Sequence, residues 1–500
     1  MGEKYVLAID QGTTRSKAVI FDEEGKFISY SYKEIPRIYP HPGWVEQDPE
    51  EIWQKTMQAV IEVIKDSKIE LSHIKAIGIA DQGETLIMWD KNTGKPIYNA
   101  IVWQCRRTTN MIKKIKKENK NFEQEIKIRT GLILDPYFSA TKVKWIIENV
   151  IKSKAQLNNI LFGTTDTWLI WKLTKGRVHV TDYTTASRTM MLNIHSLKWD
   201  DYILEELKIP KDILPELHEN SSIVAETDQE TFFGGNIPIS GVIVDQQGAL
   251  FGQACYNKGD IKVTYGTGSF VLMNTGEKPV DSTHGLLTTI AWVVNKKINY
   301  ALDGGVYTTG AVVQWLRDNL KIINNVIDSD KIAKSISDTN GVYFVPSFSG
   351  LAAPYWDATA RGAILGLTLG SDYRHLVRAV LESIAYSVYD IIESFKNDSA
   401  IIPNIIRADG GLSQNHFLMQ FQADILDMPL EVSEFAETTS LGVAYLAGLA
   451  VDLWKEGDLI ELDLKRNKRK YIPKMSLEQR HKLLNGWKKA VKRAMHWEKL

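Results

Sequence analysis

Tyr5-Val6-Leu7-Ala8-Ile9-Asp10-Gln11-Gly12-Thr13-Thr14, followed closely by Ala18-Val19-Ile20-Phe21, decides the fold of this 500-residue chain. The apolar residues from Tyr5 to Ile9 form an unbroken run, the pattern of a strand covered on both faces, and the second run reads the same way. Between them lies a polar turn with one glycine and two hydroxyls. A unit of the same kind returns near mid-chain, where Ile261-Lys262-Val263-Thr264 leads through Tyr265-Gly266-Thr267-Gly268-Ser269 into Phe270-Val271-Leu272-Met273. Recurrence of one strand-turn-strand unit about halfway along predicts two related domains facing one another, an N-terminal one over 1–253 and a C-terminal one over 254–500. The length agrees, because 500 residues exceed what a single core usually organises.

Working outward, Ile77-Gly78-Ile79-Ala80 runs into Asp81-Gln82-Gly83-Glu84, and Ile239-Ser240-Gly241-Val242-Ile243-Val244 runs into Asp245-Gln246-Gln247. Ligands of open α/β sheets collect beyond the carboxyl ends of the strands, so the polar residues at these ends are site candidates. In the second half, Leu376, Val380, Ile384, Val388 and Ile391 fall at helical spacing behind Ser371-Asp372, which predicts a helix from Tyr373 to Phe395. Leu441 to Gly448, rich in small residues, predicts a tightly packed buried helix behind Thr438-Thr439-Ser440. Strands and helices mixed in both halves give an α/β fold class.

Lys and Arg number 60 against 61 Asp and Glu, a formal charge of −1, so no whole-molecule field draws in nucleic acid or an anionic membrane. The lysines between Lys113 and Lys120 share a segment with Met111, Ile112 and Ile115 and read as the solvated face of a helix. Pro346 and Pro354 break the charge-free stretch from Thr339 to Trp356, which makes a poor membrane span. No export signal is expected, because the residues before Tyr5 show no long apolar stretch and no small-residue cleavage site. Cys105 and Cys255 are the only cysteines; they suit neither a disulfide scaffold nor a zinc site, and a cytoplasmic setting is expected.

Thr93-Gly94-Lys95-Pro96 lacks the leading glycine and trailing hydroxyl of a Walker loop, and Gly266-Thr267-Gly268 has no third glycine in register. A strand that ends in Asp10 and turns through Gly12, Thr13 and Thr14 instead offers N–H and hydroxyl groups to phosphate oxygens, and a carboxylate to hydrated magnesium. Read alone, the same turn suits an ordinary hairpin. Read with the Gly266–Gly268 turn and the strand end Ile405-Ile406-Arg407-Ala408-Asp409-Gly410-Gly411, it outlines one nucleotide site shared by two domains. Asp245, after its apolar run, is placed either to accept a hydroxyl proton during attack on a phosphoryl group or to cap the following helix.

These stretches resemble the FGGY carbohydrate kinases, whose duplicated ribonuclease H-like domains and interdomain cleft are shared with actin and hexokinase. Further matches are Tyr39-Pro40-His41-Pro42-Gly43-Trp44-Val45-Glu46, Ala100-Ile101-Val102-Trp103-Gln104-Cys105-Arg106-Arg107 and Ala353-Pro354-Tyr355-Trp356-Asp357, and the likeness runs from Tyr5 to Trp497. The resemblance implies transfer of the γ-phosphoryl group of ATP, with Mg2+, to a terminal hydroxyl of glycerol, giving sn-glycerol 3-phosphate. It implies Asp245 as the base, Glu84, Tyr137, Asp245 and Gln246 as hydrogen-bonding partners of the polyol, and Trp103 and Phe270 packed on its carbon skeleton. Thr13, Thr14, Lys17 and Thr267 would hold phosphates, Gly310, Gln314, Gly411 and Asn415 the rest of the nucleotide, and Asp10 with Asp245 the metal. The expected partners are the polyol and ATP or ADP, in a homodimer or homotetramer.

The chain departs from that pattern at Asp81-Gln82-Gly83-Glu84-Thr85, where the family usually carries Asn-Gln-Arg-Glu-Thr. An arginine that would contact two glycerol oxygens is replaced by Gly83, and a charged hydrogen bond of that kind contributes about 1.5–3 kcal/mol. Weaker glycerol capture, a different small polyol or sugar, or a low-turnover nucleotide-binding sensor are the alternatives, and Gly83→Arg is expected to lower the KM for glycerol. Arg15 stands where a serine is usual and Lys17 where an arginine is usual, keeping charge without the planar fork. Gly234-Gly235-Asn236 lacks the arginine through which bacterial relatives respond to fructose 1,6-bisphosphate, so that response is not expected.

Overall fold

The computed structural model describes residues 3–498. Strand β1 (Tyr5–Gln11) is buried at every position, because it runs through the middle of a six-stranded sheet. Its partners are β2 (Arg15–Asp22), β3 (Phe27–Glu34), β4 (Ile74–Asp81), β5 (Ser221–Glu226) and β6 (Pro238–Val244), in the order β5-β6-β4-β1-β2-β3. β1 lies parallel to β4 and β4 parallel to β6, while β2 and β3 are antiparallel additions.

A seven-stranded sheet repeats the arrangement. It contains β7 (Asp260–Tyr265), β8 (Ser269–Gly276), β9 (Leu287–Val294), β10 (Lys297–Val306), β11 (Ile405–Asp409), β12 (Leu430–Ser433) and β13 (Lys468–Tyr471), ordered β9-β10-β8-β7-β11-β12-β13. β10-β8-β7-β11-β12 matches β3-β2-β1-β4-β6 strand for strand, two antiparallel neighbours on one side and two parallel on the other. The duplication legible in the two turns therefore extends through both sheets, giving two ribonuclease H-like lobes.

Six helices bear on the site: α1 (Ser139–Asn149), α2 (Tyr183–Ser187), α3 (Asp245–Gly252), α4 (Gly310–Asp318), α5 (Tyr373–Ser399) and α6 (Thr438–Ala450). Asp372 caps α5 by accepting from the N–H of Arg374 at 2.9 Å, and Val380, Ile384, Val388 and Ile391 form its fully buried stripe. The lysine-bearing helix Thr109–Glu118 buries Ile112 and leaves Lys113, Lys114, Lys116 and Lys117 exposed.

Helix α6 comes late in the chain yet packs on the first sheet. Leu441, Val443 and Ala447 share one core cluster with Val6, Ala8, Ala80 and Ile243 of the first sheet and with Leu272 and Ala301 of the second. Glycine makes the approach possible: a Cβ on Gly442 would stand 1.9 Å from the Gly248 carbonyl oxygen, and one on Gly252 2.0 Å from that of Thr438. The sequence expectation of a tight, buried helix is met, and α3 and α6 cross almost backbone to backbone between the lobes. No helix among the described residues is long and apolar enough to cross a membrane.

Candidate functional site

The three parallel strands of the first sheet end together, since Asp10 of β1 and Ile243 of β6 both register with Ala80 of β4. Asp10, Glu84 and Asp245 accordingly emerge at one edge. Asp245 is the first residue of α3, whose N-cap is Val244, so its carboxylate does not cap the helix. Oδ1 accepts from the adjoining N–H of Gln246 at 2.6 Å and Oδ2 from the Gln246 side-chain amide at 3.1 Å. Burial, aided by the charge of Glu84, pushes Asp245 up to about 6. Asp10 is pushed to about 6 by burial, with Lys17 opposing and Glu437 and Asp245 reinforcing.

The turn after β1 is exposed at Thr14, and Gln47 fixes it by donating to the Thr13 carbonyl at 2.7 Å. Trp103 Nε1–H donates to Thr13 Oγ1 at 2.8 Å and the Trp103 ring meets Tyr137 edge-on at 5.3 Å. One side chain thus joins the turn to Tyr137. Lys17 lies opposite Asp10 on β2 at 3.6 Å and reaches Glu437 in the second half of the chain at 2.6 Å, so it is committed to two carboxylates. Arg15 is exposed, beside Glu34 and over the Tyr32 ring.

In the second lobe, Gly266 N–H donates to Gly268 at 3.0 Å and the Thr267 side chain is exposed. Gly310 joins this turn through its N–H to the Gly266 carbonyl at 2.9 Å, where a Cβ would collide with that oxygen. Gln314 is exposed one turn further along α4. Gly411 faces open space, and Gly410 has to be glycine on two counts, a φ of +86° and a Tyr265 backbone that a Cβ would strike. Asn415 is more occupied than the resemblance implied: Oδ1 caps the helix His416–Leu426 and Nδ2 donates to Ser329. Phe270 is half-buried on β8 against the interlobe core. Asp409 Oδ1 and Thr264 Oγ1 are buried without a hydrogen-bond partner among the described residues, as polar atoms beside a ligand or water would be.

Sequence reading missed Arg188, just beyond α2. Its Nε–H donates to Glu84 at 2.7 Å and Nη1 to Asp303 of the second lobe at 3.0 Å, all three side chains being nearly inaccessible. Nothing in Ala186-Ser187-Arg188-Thr189 signals a partner more than a hundred residues away. Lys142 was missed too; fully buried on α1, it donates to the carbonyls of Tyr137 at 2.7 Å and Glu84 at 3.3 Å. Its signal was an unpaired lysine inside Ser139-Ala140-Thr141-Lys142-Val143.

Gly83 has φ +76°, and a Cβ there would lie 2.8 Å from Val244 Cγ2. The expected benefit of restoring arginine is therefore revised: the left-handed backbone costs a non-glycine residue about 1–2 kcal/mol, and the side chain has to displace the neighbour of Asp245. Gly83→Arg is expected to leave the glycerol KM no lower and to reduce thermal stability, as steady-state kinetics and a melting curve will read.

Two facing lobes, each ending its central strand in a glycine-and-hydroxyl turn with carboxylates between, define the class of actin- and hexokinase-type two-lobed proteins. Residues 5–252 match the N-terminal domain, and residues 261–451 the C-terminal domain, of the FGGY family of carbohydrate kinases. The chain belongs to that family. It is 55% identical over 496 residues to a glycerol kinase of Caldanaerobacter subterraneus subsp. tengcongensis, covering 99% of each chain. It is 54% identical to glycerol kinase 2 of Thermotoga maritima, covering 99% of this chain and all of that one. The crystal structure of Plasmodium falciparum glycerol kinase with ADP superposes with a TM-score of 0.93 at 39% identity, covering 100% of this chain and 99% of that one.

Proposed function

We propose that the protein is an ATP-dependent glycerol kinase, transferring the γ-phosphoryl group to a terminal hydroxyl of glycerol to give sn-glycerol 3-phosphate and ADP. The observation that carries this reading is Asp245: a buried carboxylate held by Gln246 at the strand edge within electrostatic reach of Asp10 and Glu84, in a chain 53–55% identical to glycerol kinases over its whole length. The attacking oxygen bonds to the γ-phosphorus, its proton passes to Asp245, and the bond to the β,γ-bridging oxygen breaks to release ADP. Glu84, Tyr137 and Gln246 orient the polyol, with Trp103 and Phe270 against its carbons. Thr13, Thr14 and Thr267 line the phosphate path, Lys17 balances Asp10, and Gly310, Gln314, Gly411 and Asn415 shape the nucleotide edge. In this reading the lobes divide at 253/254.

Asp10 and Asp245 suit Mg2+, which takes hard oxygens from one or two carboxylates and completes its shell with water and phosphate oxygens. Both carboxyls are held above the ordinary range by burial, a strain that a dication relieves. Bound there, Mg2+ supplies charge neutralisation to the triphosphate. The free, buried state of Cys105 and Cys255 supports a cytoplasmic setting. Exposed Phe27, Tyr30 and Tyr32 on the edge strand β3 support association into a homodimer or homotetramer.

A coupled assay of ADP release with glycerol, dihydroxyacetone, glyceraldehyde, erythritol and several pentoses tests the acceptor. Glycerol is expected to give the highest kcat/KM, and a higher value for another acceptor overturns the reading. The pH profile follows from Asp245: the base acts ionised, and its raised value of about 6 places the loss of activity well above the range of an exposed carboxylate, about 4. Log kcat/KM is therefore expected to fall as pH drops through about 6, whereas a flat profile down to pH 5 contradicts Asp245 as base.

A further inference from the structure

On β7, Ile261, Val263 and Tyr265 are fully buried in the core of the second lobe, while Lys262 between them points the other way and is equally inaccessible. No carboxylate among the described residues lies within ion-pair distance of it. Its Nζ donates to the side-chain oxygen of Gln246, in the first lobe, at 2.7 Å. Burial makes its charge costly, and Asp409, Asp245 and Asp303 offset that cost from further away.

The Gln246 amide has one accepting and one donating end. Lys262 carries only donors, so it claims the oxygen and leaves the NH2 group to face Asp245 Oδ2 at 3.1 Å. With Oδ1 fixed by the Gln246 backbone at 2.6 Å, the carboxylate is held by two donors. A reversed amide sets oxygen against oxygen. The cation that prevents this stands on the strand leading, five residues later, into Thr267 of the nucleotide turn.

We propose that Lys262 is a positioning residue for phosphoryl transfer: reaching across from the second lobe, it fixes the Gln246 amide and through it the orientation of Asp245. The proposal rests on Asp245 being the base. It places a cation of the second half of the chain in direct contact with the side chain that orients the proton acceptor.

The test is a double-mutant cycle of Lys262→Met and Gln246→Ala, assayed for ADP release with glycerol. Loss of a charge-assisted hydrogen bond predicts a fall in kcat of about tenfold or more for Lys262→Met, with KM for ATP unchanged. The double variant is expected to be no slower than Gln246→Ala alone, because Lys262 acts through that amide. Independent, multiplying losses, or a raised KM for ATP with kcat intact, overturn the proposal and make Lys262 a direct phosphate ligand. Melting curves check folding, and Lys262→Gln, neutral and too short to reach, takes the place of the methionine variant if that one does not fold. Asp245→Asn run alongside separates the two readings. An active Asp245→Asn enzyme removes the base itself, whereas an inactive one with an additive cycle removes only the role of Lys262.

Discussion

Asp245→Asn is expected to lower kcat for glycerol by about 10²–10⁴-fold, the range supplied by a positioned general base, while leaving ATP affinity within about twofold, since one neutral hydrogen bond changes binding little. Asparagine keeps the size of the side chain, and its one oxygen can still accept from the Gln246 backbone N–H while the contact to the Gln246 side-chain amide is lost, so the fold and the entry to α3 are preserved. What disappears is the acceptor for the hydroxyl proton, along with one anionic ligand for Mg2+. Single-turnover phosphoryl transfer measured beside equilibrium ATP binding separates the two effects. Near-normal turnover means that Asp245 is not the base.

Arg188→Met is expected to produce the largest loss of stability. The substitution keeps an unbranched, uncharged stem and removes the only cation among the described residues within ion-pair distance of Glu84 and Asp303; breaking a buried pair from one side costs about 3–5 kcal/mol, because the remaining charge stays desolvated. The loss will depend on pH in a definite direction. Glu84 is already raised by burial, and Arg188 is what opposes that rise. Without the guanidinium its folded pKa climbs further above the unfolded value, so the folded state binds the extra proton and stability falls as pH rises through the folded value. The gap in melting temperature between wild type and variant is therefore expected to be wider at pH 8 than at pH 5.5. A gap that is constant, or wider in acid, contradicts the placement of this ion pair.

Where one strand and its turn carry the information, the sequence told the story well. Tyr5 to Thr14 and Ile261 to Ser269 are local units whose apolar runs are long enough to need cover on both faces, and the sheets grow outward from them as read. The helix on Leu376 to Ile391 and the small-residue helix after Thr438 were equally legible, because periodicity and residue size are local properties. Partners across the cleft were not. Arg188 and Asp303, Lys17 and Glu437, and Lys262 and Gln246 meet only when the two lobes are brought together, and no spacing within a segment encodes such a meeting. Gly83 shows the converse error: missing chemistry was legible, but the backbone angle that suits glycine and the nearby Val244 methyl were not.

The crossing of α3 over α6 has one more consequence. At Gly252 and Gly442 main chain meets main chain, and at Gly248 the methyl groups of Ile243 and Thr439 come closest. A side chain larger than hydrogen at Gly252 or Gly442 therefore has to push the two helices apart, and with them the strands of both sheets that share their core.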